Sequence, residues 1–524
     1  MKKTALILSK IATAIAALFS LYLFVNAIHY TFNMNLYYFE GISFMTEGPD
    51  SRLKNLIFIA LSFIGAFVLC KLLFLGCKDK NSKNRRVFIA SILSSLIVLA
   101  GLVYFVVKTH IAVECDQYEV FIRALDFAKG DFSWVGDYYI QMYPQQLGLA
   151  FFESFFLHFT QDWLIFQILN AVFVAASIFF ICRVSHEAFE NPYVSFVTLL
   201  MTLLCFPLYY YVSFVYGDVF MIFASLFISW ALIKYIKTSK RSYGILMIAA
   251  AVVMVPIRKN SLVFLIAVAG ALVIFSLLKK KAAPLIMAAL ILVIPYLSNE
   301  AIVKGYEIRS GSKVENGMPA INWIAMGLYP AINENCSVGV YNMYNEITYF
   351  NANRDKKVSS QMSKDYINQR MSEFKADKKE AYAFFRFKIL EQWTEPTFSS
   401  IDSTVGLHKY CWEEVKFSYD FHTLNTMSNI MNVLQSFAYA FSFLFFAVST
   451  VRDKENRSIV LTIGFIGGFL FSILWEASGR YAFPYFMLLI PLASGAAGTV
   501  MNLFEEKVLS KIKKKDGTTD GKSC

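Results

Sequence analysis

The sequence lacks the short motifs that mark several common classes of soluble enzyme. It contains no Gly-x-x-x-x-Gly-Lys phosphate loop, no His-Glu-x-x-His pair and no serine in a Gly-x-Ser-x-Gly setting. Its six histidines are scattered along the chain. We therefore expect neither a phosphate-loop nucleotide-binding site nor a histidine metal site.

Cysteine is also sparse, and its spacing excludes a zinc-finger type of site. None of the eight cysteines forms a pair with metal-ligand spacing, and most lie in or beside apolar runs, where a thiol behaves as a small hydrophobic group. Cys336 and Cys411 share one hydrophilic block. They are either a disulfide, if that block is extracellular, or two free thiols.

Apolar residues are in excess. The 524 residues are 57% hydrophobic and 17% aromatic, with a mean hydropathy of +0.49. Soluble chains have about 45–50% apolar residues even when glycine is counted. Apolar runs long enough to cross a bilayer recur along most of the chain. The sequence therefore predicts an all-α fold, a polytopic bundle of transmembrane helices.

Positive charge is distributed in a way that indicates topology. The net charge is +11, but the basic residues occupy short loops between apolar runs. Cytoplasmic loops carry such an excess of lysine and arginine. We therefore predict no nucleic-acid partner, and a multi-pass protein of the cell membrane with both termini in the cytoplasm.

The apolar runs predict twelve spans, or thirteen if Leu147–Phe159 also crosses. That run has only 13 residues, and the charge pattern favours a segment that dips in without crossing. The twelve spans are Ile11–Val25, Asn55–Gly76, Val87–Val107, Trp163–Cys182, Tyr193–Val212, Val219–Ile233, Tyr243–Ile257, Ser261–Leu278, Pro284–Leu297, Ile430–Ser449, Ser458–Trp475 and Phe483–Leu503.

The spans divide the chain into four parts. Residues 1–303 form an N-terminal transmembrane module that includes an interfacial external loop, 108–146. Residues 304–428 form a larger external loop, with a charge-rich helical stretch near Val358–Gln392. Residues 429–503 form a C-terminal transmembrane unit, and residues 504–524 a basic cytoplasmic tail.

The first external loop carries three acids, Glu114, Asp116 and Glu119, directly after a predicted span. One interpretation is that they only solvate the loop. The other is that Asp116 acts as a general base, with Glu114 as the alternative. Acids this close also repel one another or bind a divalent cation through oxygen ligands, so a cation is a candidate cofactor.

Three further sites lie at the same predicted membrane face. Asp218 either caps the following helix or faces Asp116 across an external cavity. Arg258 and Lys259 lie at a predicted external position, where the preference of basic residues for cytoplasmic loops does not expect them. They either bind a lipid phosphate or extend their charged ends to the lipid headgroups. Glu476, Arg480 and Tyr481 join the last two spans, either as phosphate ligands with an orienting acid or as a hairpin closed by a Glu–Arg pair.

Several of these stretches resemble one known family. Glu114-Cys115-Asp116-Gln117-Tyr118, Tyr143-Pro144-Gln145-Gln146, Tyr216-Gly217-Asp218 and Glu476 to Pro484 are similar, in type and order, to segments of GT-C glycosyltransferases that use polyprenyl-phosphate sugars. Relatives in that superfamily include protein O-mannosyltransferases and aminoarabinose transferases. The resemblance implies a catalytic acid at Asp116 and lipid-phosphate ligands at Arg480 and Arg258.

The expected function is therefore transfer of a sugar from a polyprenyl-phosphate donor to a cell-envelope glycan, lipid or protein on the outer face. The aromatic residues up to Tyr143 suit stacking on sugar rings, although a membrane-interface belt has the same composition. A transporter or flippase for lipid-linked glycans, and a polysaccharide polymerase, are the alternatives.

Overall fold

The protein is an all-α polytopic bundle, which confirms the predicted fold class. The computed structural model describes residues 2–29, 32–37, 42–47, 52–331, 338–401, 421–451 and 457–516. Within these ranges, nine helices are long and apolar enough to cross a membrane, or ten if one bent pair is counted as a span. The chain is therefore a multi-pass membrane protein.

The helices follow one another with short connections. A two-stranded antiparallel hairpin, β1 (Phe32–Tyr37) and β2 (Ile42–Glu47), interrupts them after the first helix. The helices are α1 Lys2–His29, α2 Arg52–Leu73, α3 Lys80–Thr109, α4 Asp116–Ala128, α5 Tyr138–Met142, α6 Leu147–Leu157, α7 Leu164–Phe189, α8 Pro192–Leu203, α9 Pro207–Tyr210, α10 Asp218–Thr238, α11 Arg241–Ile257, α12 Leu262–Lys279, α13 Ala283–Ser310, α14 Ile321–Met326, α15 Tyr344–Asn351, α16 Lys356–Ala376, α17 Lys378–Trp393, α18 Phe421–Val451, α19 Ile459–Leu474 and α20 Gly479–Asp516.

The number of full-length spans is smaller than the twelve or thirteen predicted. Two predicted spans form the shorter helices α11 and α19, of 17 and 16 residues. A third is broken, because α8 and the segment that begins at Pro207 meet at 57°. Helix α6 has 11 residues, and at about 1.5 Å per residue it is too short to cross, as the favoured interpretation of Leu147–Phe159 expected.

Burial separates central from peripheral helices. Of the apolar window of α10, 78% is buried inside the protein, against 6% for α2 and 17% for α3. Helices α7, α10 and α20 pack against one another in the centre. The peripheral helices α2 and α3 therefore present apolar side chains to the surroundings, as a bilayer requires.

The predicted external loop contains its own helices, α14 to α17, which are called the outer helices below. Helix α17 docks on the membrane bundle. Trp393 at the end of α17 is fully buried, and its indole N–H donates to Ser472 Oγ at 2.8 Å. The Nε2 of Gln392 donates to the carbonyl of Ser472 at 3.0 Å. The charge-rich stretch predicted at Val358–Gln392 is helical, but it breaks at Asp377 into α16 and α17.

Two predicted boundaries fall inside continuous helices. The boundary at residue 304 lies within α13, which continues to Ser310. The boundary at residue 504 lies within α20, which continues to Asp516. Cys336 and Cys411 lie outside the described residues, so their pairing stays a prediction.

Candidate active site

The segment before α10 is held in place by side chains from two other helices. The Nδ2 of Asn170 on α7 donates to the carbonyls of Val212 and Phe214, at 3.1 and 3.0 Å. The Oε1 of Gln117 on α4 accepts from the backbone N–H of Val215 at 2.7 Å. These bonds satisfy buried backbone groups in an irregular segment, and they tie it to the residue next to Asp116.

Asp116 is the exposed first residue of α4. The helix N-terminus favours a negative charge there. The preceding Cys115 has φ +51° and ψ −131°, a conformation that non-glycine residues rarely adopt. Such local strain is common where a fold has to aim a side chain at a particular place.

The three acids of this loop are not equivalent. Glu119 forms an ion pair with Arg123, whose guanidinium also pairs with Asp137. Burial raises the pKa of Glu114, which is only partly exposed. Asp116 accepts a hydrogen bond from Tyr216, which lies in the segment before α10.

Tyr216 connects this carboxylate to two arginines. Its hydroxyl donates to Asp116 Oδ2 at 3.1 Å and accepts from the side-chain amide of Gln146. The centre of its ring lies 4.9 Å from Cζ of Arg258 and 5.5 Å from Cζ of Arg480. A single side chain therefore contacts both the acid and the cations of the site.

A glycine allows Tyr216 and Arg258 to meet. Gly217 has φ +81°, and a Cβ there would lie 2.8 Å from Cγ2 of Ile257 and 3.0 Å from its carbonyl oxygen. Only glycine accommodates that approach at that φ. Asp218 then lies against Arg258, with NH2 and Oδ1 2.9 Å apart, so the charge of Arg258 is partly neutralised.

Arg480 has a different environment. It forms no ion pair with any carboxylate of the described residues, and its guanidinium packs over the rings of Phe214, Tyr216 and Tyr481, 5.1 to 5.5 Å away. Stacked arginine of this kind keeps its donors for an oxygen ligand. Glu476 and Arg480 therefore do not form the ion pair of the predicted alternative.

Two further buried ionisable groups, Glu476 and Lys388, influence each other electrostatically. Glu476 is buried between α19 and α20, and Lys388 on α17 is fully buried with its ammonium donating to the carbonyl of Gly327. Burial raises the pKa of Glu476 to about 7, opposed by Arg480. Burial lowers the pKa of Lys388 to about 7, opposed by Glu476.

Tyr143 lies beside the cluster around Tyr216. Its hydroxyl and that of Tyr341 both donate to Glu346 Oε1, each at 2.6 Å. The ring of Tyr143 packs edge-on against Trp323, and Trp323 stacks on Trp475 with centroids 5.9 Å apart. The outer helices thus bring aromatic faces and a carboxylate to the site, a combination that suits sugar rings and hydroxyls.

Most of the predicted site residues come together. Asp116, Asp218, Arg258, Glu476, Arg480 and Tyr481 form one cluster around Tyr216, and Tyr143 lies beside it. Lys259 does not join the cluster, because its side chain is exposed at the start of α12. The sequence-based selection omitted Tyr216, Gln146, Lys388 and Glu346. Tyr216 lies in a stretch singled out for its Asp, whereas nothing marks Lys388 among the many lysines of the outer helices.

Metal ligands are not gathered at this cluster. Within the described ranges, no group of three or more His, Cys, Asp or Glu residues is arranged to hold a metal ion. The divalent cation stays a prediction, and the roles considered below belong to side chains.

The fold and the cluster define a class, a polytopic α-helical membrane protein with a charged and aromatic site at one end of its bundle. The chain matches no protein-family model and no curated protein.

Proposed function

We propose that the protein is an inverting glycosyltransferase that moves a sugar from a polyprenyl-phosphate donor to a hydroxyl group of a cell-envelope acceptor. The contact of one tyrosine, Tyr216, with an exposed carboxylate and with two arginines carries this proposal. Transfer from a lipid phosphate needs a base for the acceptor and cations for the leaving group, and both are present side by side.

The reaction divides between the two halves of the cluster. The acceptor oxygen attacks the anomeric carbon while the bond from that carbon to the phosphate oxygen breaks. The proton of the acceptor hydroxyl goes to Asp116. The negative charge that develops on the departing polyprenyl phosphate is stabilised by Arg480 and Arg258. Tyr481 adds a hydroxyl donor, and Asp218 orients Arg258.

The two arginines have different duties in this scheme. Arg258 is held by Asp218 at 2.9 Å, so its position is fixed before the lipid arrives. Arg480 has no carboxylate partner within the described chain, so its charge is free to meet the phosphate. A planar guanidinium can bind two phosphate oxygens at once.

The site belongs, in this proposal, to the outer face of the cell membrane, with both termini in the cytoplasm. Basic loops support that orientation, since Lys234, Lys237 and Arg457 lie at the end of the bundle opposite to Asp116. They pair there with Glu187 and Glu190. Acceptors in the cell envelope would reach Asp116 directly.

The decisive experiment compares Asp116→Asn with Asp131→Asn. Asp131 is an exposed acid of the same loop whose side chain accepts from the backbone N–H and the side chain of Ser133. Purified protein in liposomes is given a panel of undecaprenyl-phosphate hexoses and envelope membranes as acceptor, and released undecaprenyl phosphate is measured. Loss of a general base lowers the rate about 10²–10⁴-fold.

We expect Asp116→Asn to lose transfer by that factor and Asp131→Asn to keep it, with equal thermal stability. Equal rates for the two variants would refute Asp116 as the base. If no donor is cleaved and the protein instead moves intact lipid-linked glycan across the liposome membrane, the transporter is the better assignment. Products that lengthen with time would identify the polymerase.

A further inference from the structure

An open groove runs along the outside of the bundle between α2, α8 and α18. Its volume is about 720 Å³, inside the range of about 300–1,000 Å³ that is usual for ligand sites. Helix α2, which forms one wall, is the least buried of the candidate spans. The groove shares no residue with the cluster around Tyr216. Its walls are mainly apolar, with Phe58, Leu69, Val197, Met201, Val433 and Phe437.

The two long walls run in the same direction. Asn55 at the start of α2 donates to the carbonyl of Ile28 at the end of α1, at 2.9 Å. Thr450 at the end of α18 donates to Thr13 in the first half of α1, at 3.2 Å. Helices α2 and α18 are therefore both antiparallel to α1 and parallel to each other.

Polar residues of both walls lie at one level of the groove. The rings of Phe63 and Phe441 stack with centroids 5.6 Å apart, which aligns the two helices. Nine residues before that pair lie Lys54 on α2 and Asn432 on α18, about 13 Å further along at 1.5 Å per residue. This is close to half of the about 30 Å hydrocarbon core of a bilayer. Because Phe63 lies in the middle of α2 (Arg52–Leu73), the polar level lies near the end of that span, where the headgroups of one leaflet are expected.

Asn432 has unmet hydrogen-bonding capacity. The residue is 4% exposed, and its side-chain Nδ2 makes no hydrogen bond within the described part of the chain. A buried polar group without a partner destabilises the fold. Lys54 beside it is exposed and forms no ion pair with a described residue. A ligand that supplied an acceptor to Asn432 and a negative charge to Lys54 would satisfy both.

We propose that this groove binds one anionic diacyl phospholipid of the surrounding leaflet. The phosphate lies at Lys54, an ester carbonyl accepts from the amide of Asn432, and the acyl chains follow the apolar walls. An isoprenoid phosphate has no ester carbonyl, so a single phosphate would have to serve both Lys54 and Asn432. The site is separate from the cluster at Asp116, and the inference does not rest on the proposed function.

A large side chain introduced into the groove tests the proposal directly, and a glycine that lines the groove is a suitable position. Gly65 on α2 lines the groove, and a Cβ there would meet no heavy atom within 4 Å. Gly101 on α3 is equally open and lies outside the groove, so Gly101→Trp is the matched control for Gly65→Trp. Each purified protein is mixed with phosphatidylglycerol and undecaprenyl phosphate, and bound lipid is counted by native mass spectrometry.

We expect the wild type and Gly101→Trp to retain one phosphatidylglycerol each, and Gly65→Trp to retain at least tenfold less. Asn432→Leu, which keeps the volume and removes the amide, should lower retention several-fold without lowering thermal stability. Equal retention by Gly65→Trp and Gly101→Trp would overturn the proposal. It would also be overturned if the wild type held neither lipid, or if the lipid lost from Gly65→Trp were undecaprenyl phosphate.

Discussion

The hydroxyl of Tyr216 provides a sharp test of the candidate active site, because one oxygen atom joins its two halves. Tyr216→Phe removes the donor that lies 3.1 Å from Asp116 Oδ2 and leaves the ring between Arg258 and Arg480. A hydrogen bond to a charged group contributes about 1.5–3 kcal/mol. At about 1.36 kcal/mol for each factor of ten, kcat/KM should fall roughly 10-fold to 150-fold.

The assay is release of undecaprenyl phosphate at subsaturating donor, with folding followed by thermal unfolding. Tyr209→Phe is the matched control, because its hydroxyl donates to backbone carbonyls of Thr202 and Leu203, away from the site. Tyr216→Leu removes the ring as well and should raise KM for the lipid donor further, since contacts between a ring and a cation contribute about 0.5–2 kcal/mol. The reasoning fails if Tyr216→Phe and Tyr209→Phe have the same kcat/KM in a protein that Asp116→Asn inactivates.

Two further predictions concern the contact between the outer helices and the membrane bundle. Burial raises the pKa of Glu476 from 4.5 to about 7. Between these pH values the native protein keeps a proton that the unfolded chain loses. The free energy of unfolding should therefore fall by about 3 kcal/mol as the pH rises from 4.5 to 7. Glu476→Gln should flatten this slope in thermal unfolding, and parallel curves would contradict the assignment. Gly327→Ala should destabilise by about 1–3 kcal/mol, because its Cβ would lie 2.5 Å from the carbonyl oxygen of Trp475. Gly305→Ala, which meets nothing within 4 Å, is the control, and equal melting temperatures would disprove the close approach.

The spans were largely predictable because hydropathy is a local property. Any helix that crosses a bilayer needs about 20 apolar residues in a row, and such runs are visible in the sequence. The errors arose where apolar runs do not form one straight helix. Pro207 starts a new segment 57° away from α8, whereas α11 and α19 end within one residue of the predicted spans but have only 17 and 16 residues.

The outer helices illustrate the same limit. Their charge and periodicity predicted helix near Val358–Gln392, and helix is present. The break at Asp377, whose side chain accepts from the backbone N–H groups of Lys379 and Glu380, was not foreseen. An acid in a charged run is ambiguous, because the same residue serves as a helix cap or as part of the solvated surface.

The sequence by itself determined the fold class and marked Asp116, Arg258 and Arg480 as members of the candidate site. Asp116, Arg258 and Arg480 stand at the ends of apolar runs, where a charge is conspicuous because the bilayer tolerates so few. Only the tertiary structure decided which neutral and distant residues join them. The close approach of Gly217 to Ile257 places Tyr216 beside Arg258, Gln146 donates to Tyr216, and Lys388 comes from α17. Burial then sets the pKa of Lys388 and of Glu476, and burial belongs to the folded chain rather than to any short stretch of it.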